Sequence, residues 1–254
     1  MTRSIRRSTI QSTAGLCERV KAMNKLFSLD SRLALCADYV REGARLADIG
    51  TDHAYLPVWL AVSGRIKSAA ACDVRQKPLQ SGSENIDKYG CGNIVTTRLS
   101  DGLDEVSPAE ADDIVLAGMG GELIVKIISR TEWLKDPDKH IIMQPMTKAF
   151  VLREYLCKNG FDIINEKACA FAGKNYSVML AVYDGIRREY PCSFYYSGKL
   201  AADDPFAAEY IKQIIKKLSY KAQGRRHSGE TDIPEYNIIN ELKEKFGVDI
   251  DDNG

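Results

Sequence analysis

From Arg45 onward, short apolar runs alternate with stretches of helical periodicity. Leu46, Ala47 and Ile49 form a buried-strand run that Gly50 breaks, and the apolar stretch Ala54–Val62 reads as the helix behind it. The strand Ala69–Cys72 ends at Asp73, and the helix Pro78–Tyr89 is closed by Gly90. Ile94–Leu99 is a third strand, followed by an Asp101-Gly102 turn. Asp113–Leu116 runs into a loop, Ala117-Gly118-Met119-Gly120-Gly121, and then the helix Glu122–Arg130. Ile141–Met143 is a strand ending at Gln144-Pro145; Thr147 caps the helix Lys148–Lys158, which Gly160 terminates. Ahead of these, Asp30 or Ser31 caps a helix with Leu33, Cys36, Ala37 and Val40 on one face, ended by Gly43. Near-continuous apolar strands separated by helices predict a parallel sheet covered on both faces.

The alternation then breaks. Phe161–Phe171 and Tyr176–Tyr183 are two β-rich runs joined by Ala172-Gly173-Lys174-Asn175, which reads as an antiparallel hairpin. A parallel sheet closed by such a hairpin has the shape of the class I methyltransferase fold. Beyond Pro191, Phe206, Tyr210, Ile214, Leu218 and Ala222 recur every four residues, and Ile211 and Ile215 widen the stripe. Gly224–Pro234 is polar, and Tyr236, Ile239, Leu242 and Phe246 mark a second helix. The tail is therefore predicted to be a helical hairpin, of the kind a short coiled coil makes.

Composition narrows the class. The 254 residues suffice for one well-buried α/β domain and a small appendage, and 44% hydrophobic with 28% charged residues describes a soluble globular chain. Formal net charge is +0, so a polyanionic partner must find a local basic patch. One candidate is the first tail helix, with Lys212, Lys216, Lys217 and Lys221 running into Arg225-Arg226, and Glu209 as the nearby acid. It reads either as a solvated face or as a phosphate-gripping arm. Seven scattered cysteines without a C-x-x-C pair and three histidines without ligand spacing argue against a metal site. They fit free thiols in a reducing cytoplasm, and no apolar run reaches membrane-spanning length. Residues 1–22 carry Arg3, Arg6, Arg7, Arg19 and Lys21 without an apolar core. They read as a basic, disordered extension, a transit peptide or an upstream start ahead of Met23, and not as a secretory signal.

The predicted strand ends carry the chemistry. The first gives Asp48, Gly50, Asp52 and His53, in place of the glycines of a G-x-G-x-x-G dinucleotide loop. The second gives Asp73, suited to both hydroxyls of a ribose. The third gives Asp101-Gly102, suited to an adenine edge, and the fourth gives Gly118-Met119-Gly120-Gly121, where a substrate can approach the backbone closely. The fifth gives Gln144-Pro145. Such residues on one sheet edge specify a nucleoside-cofactor crevice. Asp52 either lines that crevice or caps the next helix, and His53 is expected to position rather than to act as a base. Met119 is core filler or a cofactor neighbour, Tyr176 a base-stacking ring or a plain strand aromatic, and Trp59 and Trp133 pack on helices.

The runs LADIGTDHAYLP, CDV, LSDGLDEV, DDIVLAGMGGELI and IIMQPM resemble the bacterial tRNA (adenine-22-N1)-methyltransferases. The resemblance covers about residues 23–185; the basic N-terminal stretch lies outside it, and the tail matches in type only. It implies an α/β, Rossmann-like sheet, S-adenosyl-L-methionine as cofactor, tRNA as partner, and a C-terminal helical domain that helps to hold it. The domains expected are residues 1–22 as an extension, 23–189 for methyl transfer and 190–254 for tRNA contact. The implied cofactor residues are Asp48, Gly50, Asp52, His53, Asp73, Val74, Asp101, Gly102, Gly118 and Met119. The catalytic residues expected from the strand ends are Asp52, His53, Met119, Gly120, Gln144 and Pro145. The RNA contacts expected from the basic and aromatic positions are Arg153, Lys174, Tyr176, Lys212, Lys216, Lys217, Lys221, Arg225 and Arg226. No metal and no membrane partner is expected, and a monomer is the default. Adenine N1 carries a lone pair at neutral pH, so direct displacement needs geometry rather than a general base. N1 lies on the Watson–Crick edge, so its base must be unpaired or extruded. The competing readings are a nicotinamide dehydrogenase, a non-catalytic RNA-binding protein, and a methyltransferase for another nucleic acid or a small-molecule nitrogen.

Overall fold

A computed structural model describes residues 27–249. The readings made for residues 1–22 and for Met23 lie outside the described residues. In chain order the strands are β1 (Ala44–Ile49), β2 (Ile66–Asp73), β3 (Val95–Leu99), β4 (Asp113–Gly120), β5 (His140–Thr147), β6 (Phe161–Phe171) and β7 (Lys174–Tyr183). The helices are α1 (Ser31–Tyr39), α2 (Tyr55–Val62), α3 (Gln76–Lys88), α4 (Gly121–Arg130), α5 (Ala149–Lys158), α6 (Cys192–Ser197), α7 (Pro205–His227) and α8 (Pro234–Phe246). The strand order is β3-β2-β1-β4-β5-β7-β6. Among the described residues no helix is long and apolar enough to cross a membrane.

The chain divides into two compact units. One holds Val40–Asp113, with residues 27–29. Its three strands are parallel, in registers that set Asp48 beside Ala71, Ile49 beside Cys72 and Asp73 beside Leu99. Leu46, Ala47, Ala71, Cys72, Leu56, Val58 and Leu60 are buried, as continuous apolar runs on strands and helix require. β2 begins at Ile66 rather than Ala69, and α3 at Gln76 rather than Pro78.

The other unit holds Asp30–Tyr39 and, among the described residues, 114–249. β7 runs antiparallel to β5, with Ile141 opposite Ala181, and to β6, with Phe161 opposite Tyr183. The hairpin is tighter than the four-residue joint expected. Phe171 pairs directly with Lys174, and the two turn residues, Ala172 and Gly173, have φ of 49° and 72°. Positive φ at both positions is the type I′ geometry that suits strand twist. Asp30 caps α1, accepting from the Arg32 and Leu33 amides at 2.9 and 3.2 Å. Ala207, Tyr210, Ile211, Ile215 and Leu218 of α7 share one core with Ile239, Leu242 and Phe246 of α8 and with Ala168 of β6. The tail is thus a helical hairpin that rests on the β-hairpin.

Three local expectations are corrected. The glycines at 118 and 120 do not form a separate loop, because β4 runs through to Gly120 with a local break in its extended backbone at Gly118, φ 75°. β5 likewise continues through Gln144-Pro145 to Thr147. Thr147 does not cap the next helix; the N-cap residue is Lys148, at φ 53°, and no side chain caps it.

Candidate active site

In the first unit the site begins at the end of β1. Asp48 is buried; burial pushes its carboxyl up to about 6, against the pull of the Thr51 hydroxyl and with help from the negative charge of Asp73. Thr51 Oγ1 is itself buried and makes no hydrogen bond of normal geometry among the described residues. Gly50, at φ 72°, turns the backbone so that its amide and that of Thr51 both donate to the Cys72 carbonyl, at 2.8 and 2.9 Å. His53 and Ala54 follow at φ 59° and 52°, a left-handed pair without glycine. Tertiary contacts hold this strained turn: Asn85 Nδ2 of α3 donates to the His53 carbonyl at 2.9 Å, and Ala54 is completely buried.

Asp52 does not cap α2. The cap position is Ala54, without a side-chain bond, and the Asp52 side chain is 77% exposed. Its carboxylate lies 3.5 Å from His53 Nε2, and the His53 ring stacks on Tyr55 at 5.4 Å. At the end of β2, Asp73 is buried and its Oδ1 accepts from the Arg75 amide at 2.8 Å; Oδ2 accepts no hydrogen bond among the described residues. Val74 beside it is exposed. Ser100 braces the next turn: its amide donates to the Asp73 carbonyl, and its hydroxyl donates to the Gly102 carbonyl at 2.9 Å. Asp101 at that turn is exposed. Thr51 and Ser100 were not singled out from the sequence, although each sits inside a run that was; a hydroxyl beside a turn glycine is the signal. Asn85 carries no such signal.

The second unit, by itself, holds the other residues expected at strand ends. The Gly118 amide donates to Gln144 Oε1 at 3.1 Å, and Gln144 Nε2 donates to the Pro145 carbonyl at 3.2 Å. Gln144 is buried, so it positions the end of β4. Gly118 has φ 75°, and a Cβ there would meet nothing within 4 Å, leaving its backbone open to a ligand. Gly121 is fixed instead by packing, since a Cβ would lie 2.4 Å from the Lys148 carbonyl oxygen. Met119 and Gly120 are half-buried. Among the described residues no group of three His, Cys, Asp or Glu side chains gathers as metal ligands.

The predicted RNA contacts separate. Arg153 is fully buried and paired with Glu166 at 2.7 Å, and all of its N–H donors are occupied. It cannot reach a phosphate, which corrects the expectation. Tyr176 is buried, with the Arg32 guanidinium 5.6 Å from its ring centre, while Lys174 is exposed. On the tail, Lys212 pairs with Glu209, Lys221 with Glu235, and Arg225 with Glu230 and Glu235. Lys216, Lys217 and Arg226 are exposed and have no acidic partner among the described residues.

A methyltransferase-domain family model matches residues 29–179. The tRNA (adenine(22)-N(1))-methyltransferase of Bacillus subtilis is 36% identical over 171 residues, 65% of this chain and 71% of that protein. The structure of the Bacillus subtilis M1A22 tRNA methyltransferase matches with a TM-score of 0.70 at 28% identity, over 87% of this chain and 96% of that one. A Streptococcus pneumoniae structure in complex with S-adenosyl-L-methionine, described as a candidate tRNA (m1A22) methyltransferase, matches with a TM-score of 0.75 at 29% identity. That match covers 86% of this chain and 100% of the other.

Proposed function

The chain belongs to the tRNA (adenine(22)-N(1))-methyltransferase family, and from that premise we propose that it transfers a methyl group from S-adenosyl-L-methionine to N1 of adenine 22 in tRNA. The observation that carries this reading is the pair of buried carboxylates, Asp48 and Asp73, at the carboxyl ends of adjacent strands in a chain of this family. Two buried carboxylates, a buried Thr51 hydroxyl and a glycine turn fit a ligand with vicinal hydroxyls and a cationic centre.

Asp73 Oδ2 would accept from the ribose hydroxyls, and the Ser100–Gly102 turn, with Asp101, would border the adenine. Asp48, at the turn that Gly50 makes, would hold the amino-acid end. S-adenosyl-L-methionine, when bound, supplies a sulfonium methyl whose carbon takes the N1 lone pair as sulfur leaves with the old bonding pair. No proton is released, so no side chain has to act as a base. Asp52 faces the positive charge that develops on the adenine, and His53 holds that carboxylate in place. Within the second unit, Gln144 fixes the Gly118 backbone. The segment expected at residues 23–189 carries methyl transfer, and in the segment expected at 190–254 the α7–α8 hairpin grips phosphates in a coiled-coil-like pair. The enzyme works in the cytoplasm.

The test uses cofactor carrying a labelled methyl group and two unmodified tRNA transcripts, one with adenine and one with guanine at position 22. Label recovered as 1-methyladenosine from the first transcript alone is the expected result. Label in both, or in neither, overturns the proposal.

A further inference from the structure

The second unit contains a cavity of about 360 Å³ that none of the roles above uses. It lies where the end of β5 and the start of α5 meet β7 and α7. Its size falls within the roughly 300–1,000 Å³ range of small-ligand pockets. Phe150 and Tyr196 form one wall as a stacked pair, ring centres 4.9 Å apart and 13° from parallel. Tyr176 and Tyr210 contribute further aromatic surface, and Lys217 stands at the cavity without an acidic partner among the described residues.

Two features argue that the cavity is built for a ligand. It opens to solvent, so a ligand can enter, and four aromatic rings, those of Phe150, Tyr176, Tyr196 and Tyr210, line it. Its frame is also rigid. Arg153 ties the floor together, donating to Tyr210 Oη at 3.3 Å and to the Tyr196 carbonyl at 2.9 Å. The Gln213 amide clamps the Asn175 backbone in both directions, at 3.2 Å each way. Asn175 lines the cavity, and its own side-chain amide makes no hydrogen bond among the described residues. A free amide offers a donor and an acceptor side by side, the pattern that pairs with the amino group and ring nitrogen of an adenine.

We infer that this cavity receives one unstacked adenine of the tRNA. The ring lies against the aromatic wall, the Asn175 amide reads its polar edge, and Lys217 meets the attached phosphate. The inference rests on that part of the proposed function which makes tRNA the molecule this chain binds. Pro145 and Met146, which directly follow Gln144, also line the cavity, so the occupant lies next to the residue that holds the Gly118 backbone.

Two full-length variants test it. Ala149→Phe fills the cavity from the first residue of α5 while leaving its aromatic wall in place, and Asn175→Ala removes the amide. Both are expected to melt within a few degrees of the parent and to bind S-adenosyl-L-methionine with unchanged affinity. Affinity for the tRNA transcript is expected to fall about 5- to 150-fold, the range set by the loss of one base–aromatic stack. Transcripts carrying 2-aminopurine at position 22 or at either flanking nucleotide identify the base: stacking on the wall quenches the fluorescence of the bound probe, and Ala149→Phe restores it. If Ala149→Phe and Asn175→Ala fold and bind tRNA as the parent does, or if no probe responds, the inference is overturned. If the parent binds tRNA through the cavity yet transfers no methyl group, the proposed function fails and the inference stands.

Discussion

Asp48 is a carboxyl placed where its charge is costly, at the buried end of β1 beside the like charge of Asp73. Its ordinary value of 3.8 rises to about 6 in the fold. The folded chain therefore binds this proton more tightly than the unfolded chain does. That preference contributes stability fully below about pH 4, and the contribution is lost as pH rises through 6. The difference between 3.8 and about 6, at about 1.4 kcal/mol per pH unit, is about 3 kcal/mol of stability given up at neutral pH. Such a cost is typical of residues kept for binding. Asp48→Asn is accordingly expected to melt several degrees higher than the parent at pH 7.5 and to show little gain at pH 4. It should also bind S-adenosyl-L-methionine at least about tenfold more weakly. Thermal melts at the two pH values, with calorimetry at pH 7.5, check both; a lower melting temperature at pH 7.5 contradicts a charge held at a cost.

At the scale of elements, one side chain of α5 joins much of the second unit. Arg153 donates to Glu166 of β6, Ser177 of β7, the Tyr195 and Tyr196 carbonyls of α6 and Tyr210 of α7. Burial disfavours its charge, but the facing Glu166 carboxylate and Tyr210 outweigh that and raise its proton affinity above the usual arginine range. Gly198 passes so close that a Cβ would sit 1.9 Å from Glu166 Oε2, and the backbone there has φ 57°. Arg153→Met leaves a buried carboxylate without a partner, and a loss of about 3–5 kcal/mol in urea unfolding is expected. Arg153→Met combined with Glu166→Gln removes both charges and should recover part of that loss. A double variant as unstable as the single one would contradict a charge-pairing role.

For the molecule as a whole, net charge is +0, so affinity for a polyanion has to come from cations that the fold leaves unpaired. Of the six basic residues on α7, Lys216, Lys217 and Arg226 meet that condition, whereas Lys212, Lys221 and Arg225 face carboxylates. Changing the three unpaired residues to Ala is expected to flatten the slope of log affinity for tRNA against log salt by about 0.7–0.9 for each phosphate no longer neutralised. Changing Lys221 and Arg225 should move the slope less. Equal effects from both sets, read by anisotropy titrations across salt concentrations, would reject the division. Truncation after Tyr196 is a poor substitute for these variants, because it strips the core that covers Ala168 of β6.

Much of the fold and half of the site were legible in the sequence, because they depend on neighbours along the chain. Apolar runs of strand length, their turn glycines and the acids that follow them put Asp48, Gly50, Asp73 and Gly118 at strand ends, and the structure keeps them there. The closing hairpin was legible for the same reason. Pro145 and the glycines of β4 misled, since each reads locally as a strand break; β5 accepts Pro145 because its antiparallel pairing with β7 ends at Met143. What only the tertiary structure decided were the pairings between residues far apart in the chain. Glu166 turned Arg153 from a surface cation into a buried tie, and Glu235 of α8 neutralised Lys221 and Arg225. Gln144 found the Gly118 amide, and α5, β7 and α7 together enclosed a cavity that none of them forms alone. A side chain's charge is written in the sequence, but whether that charge meets water, a partner or a ligand depends on which distant segments pack around it.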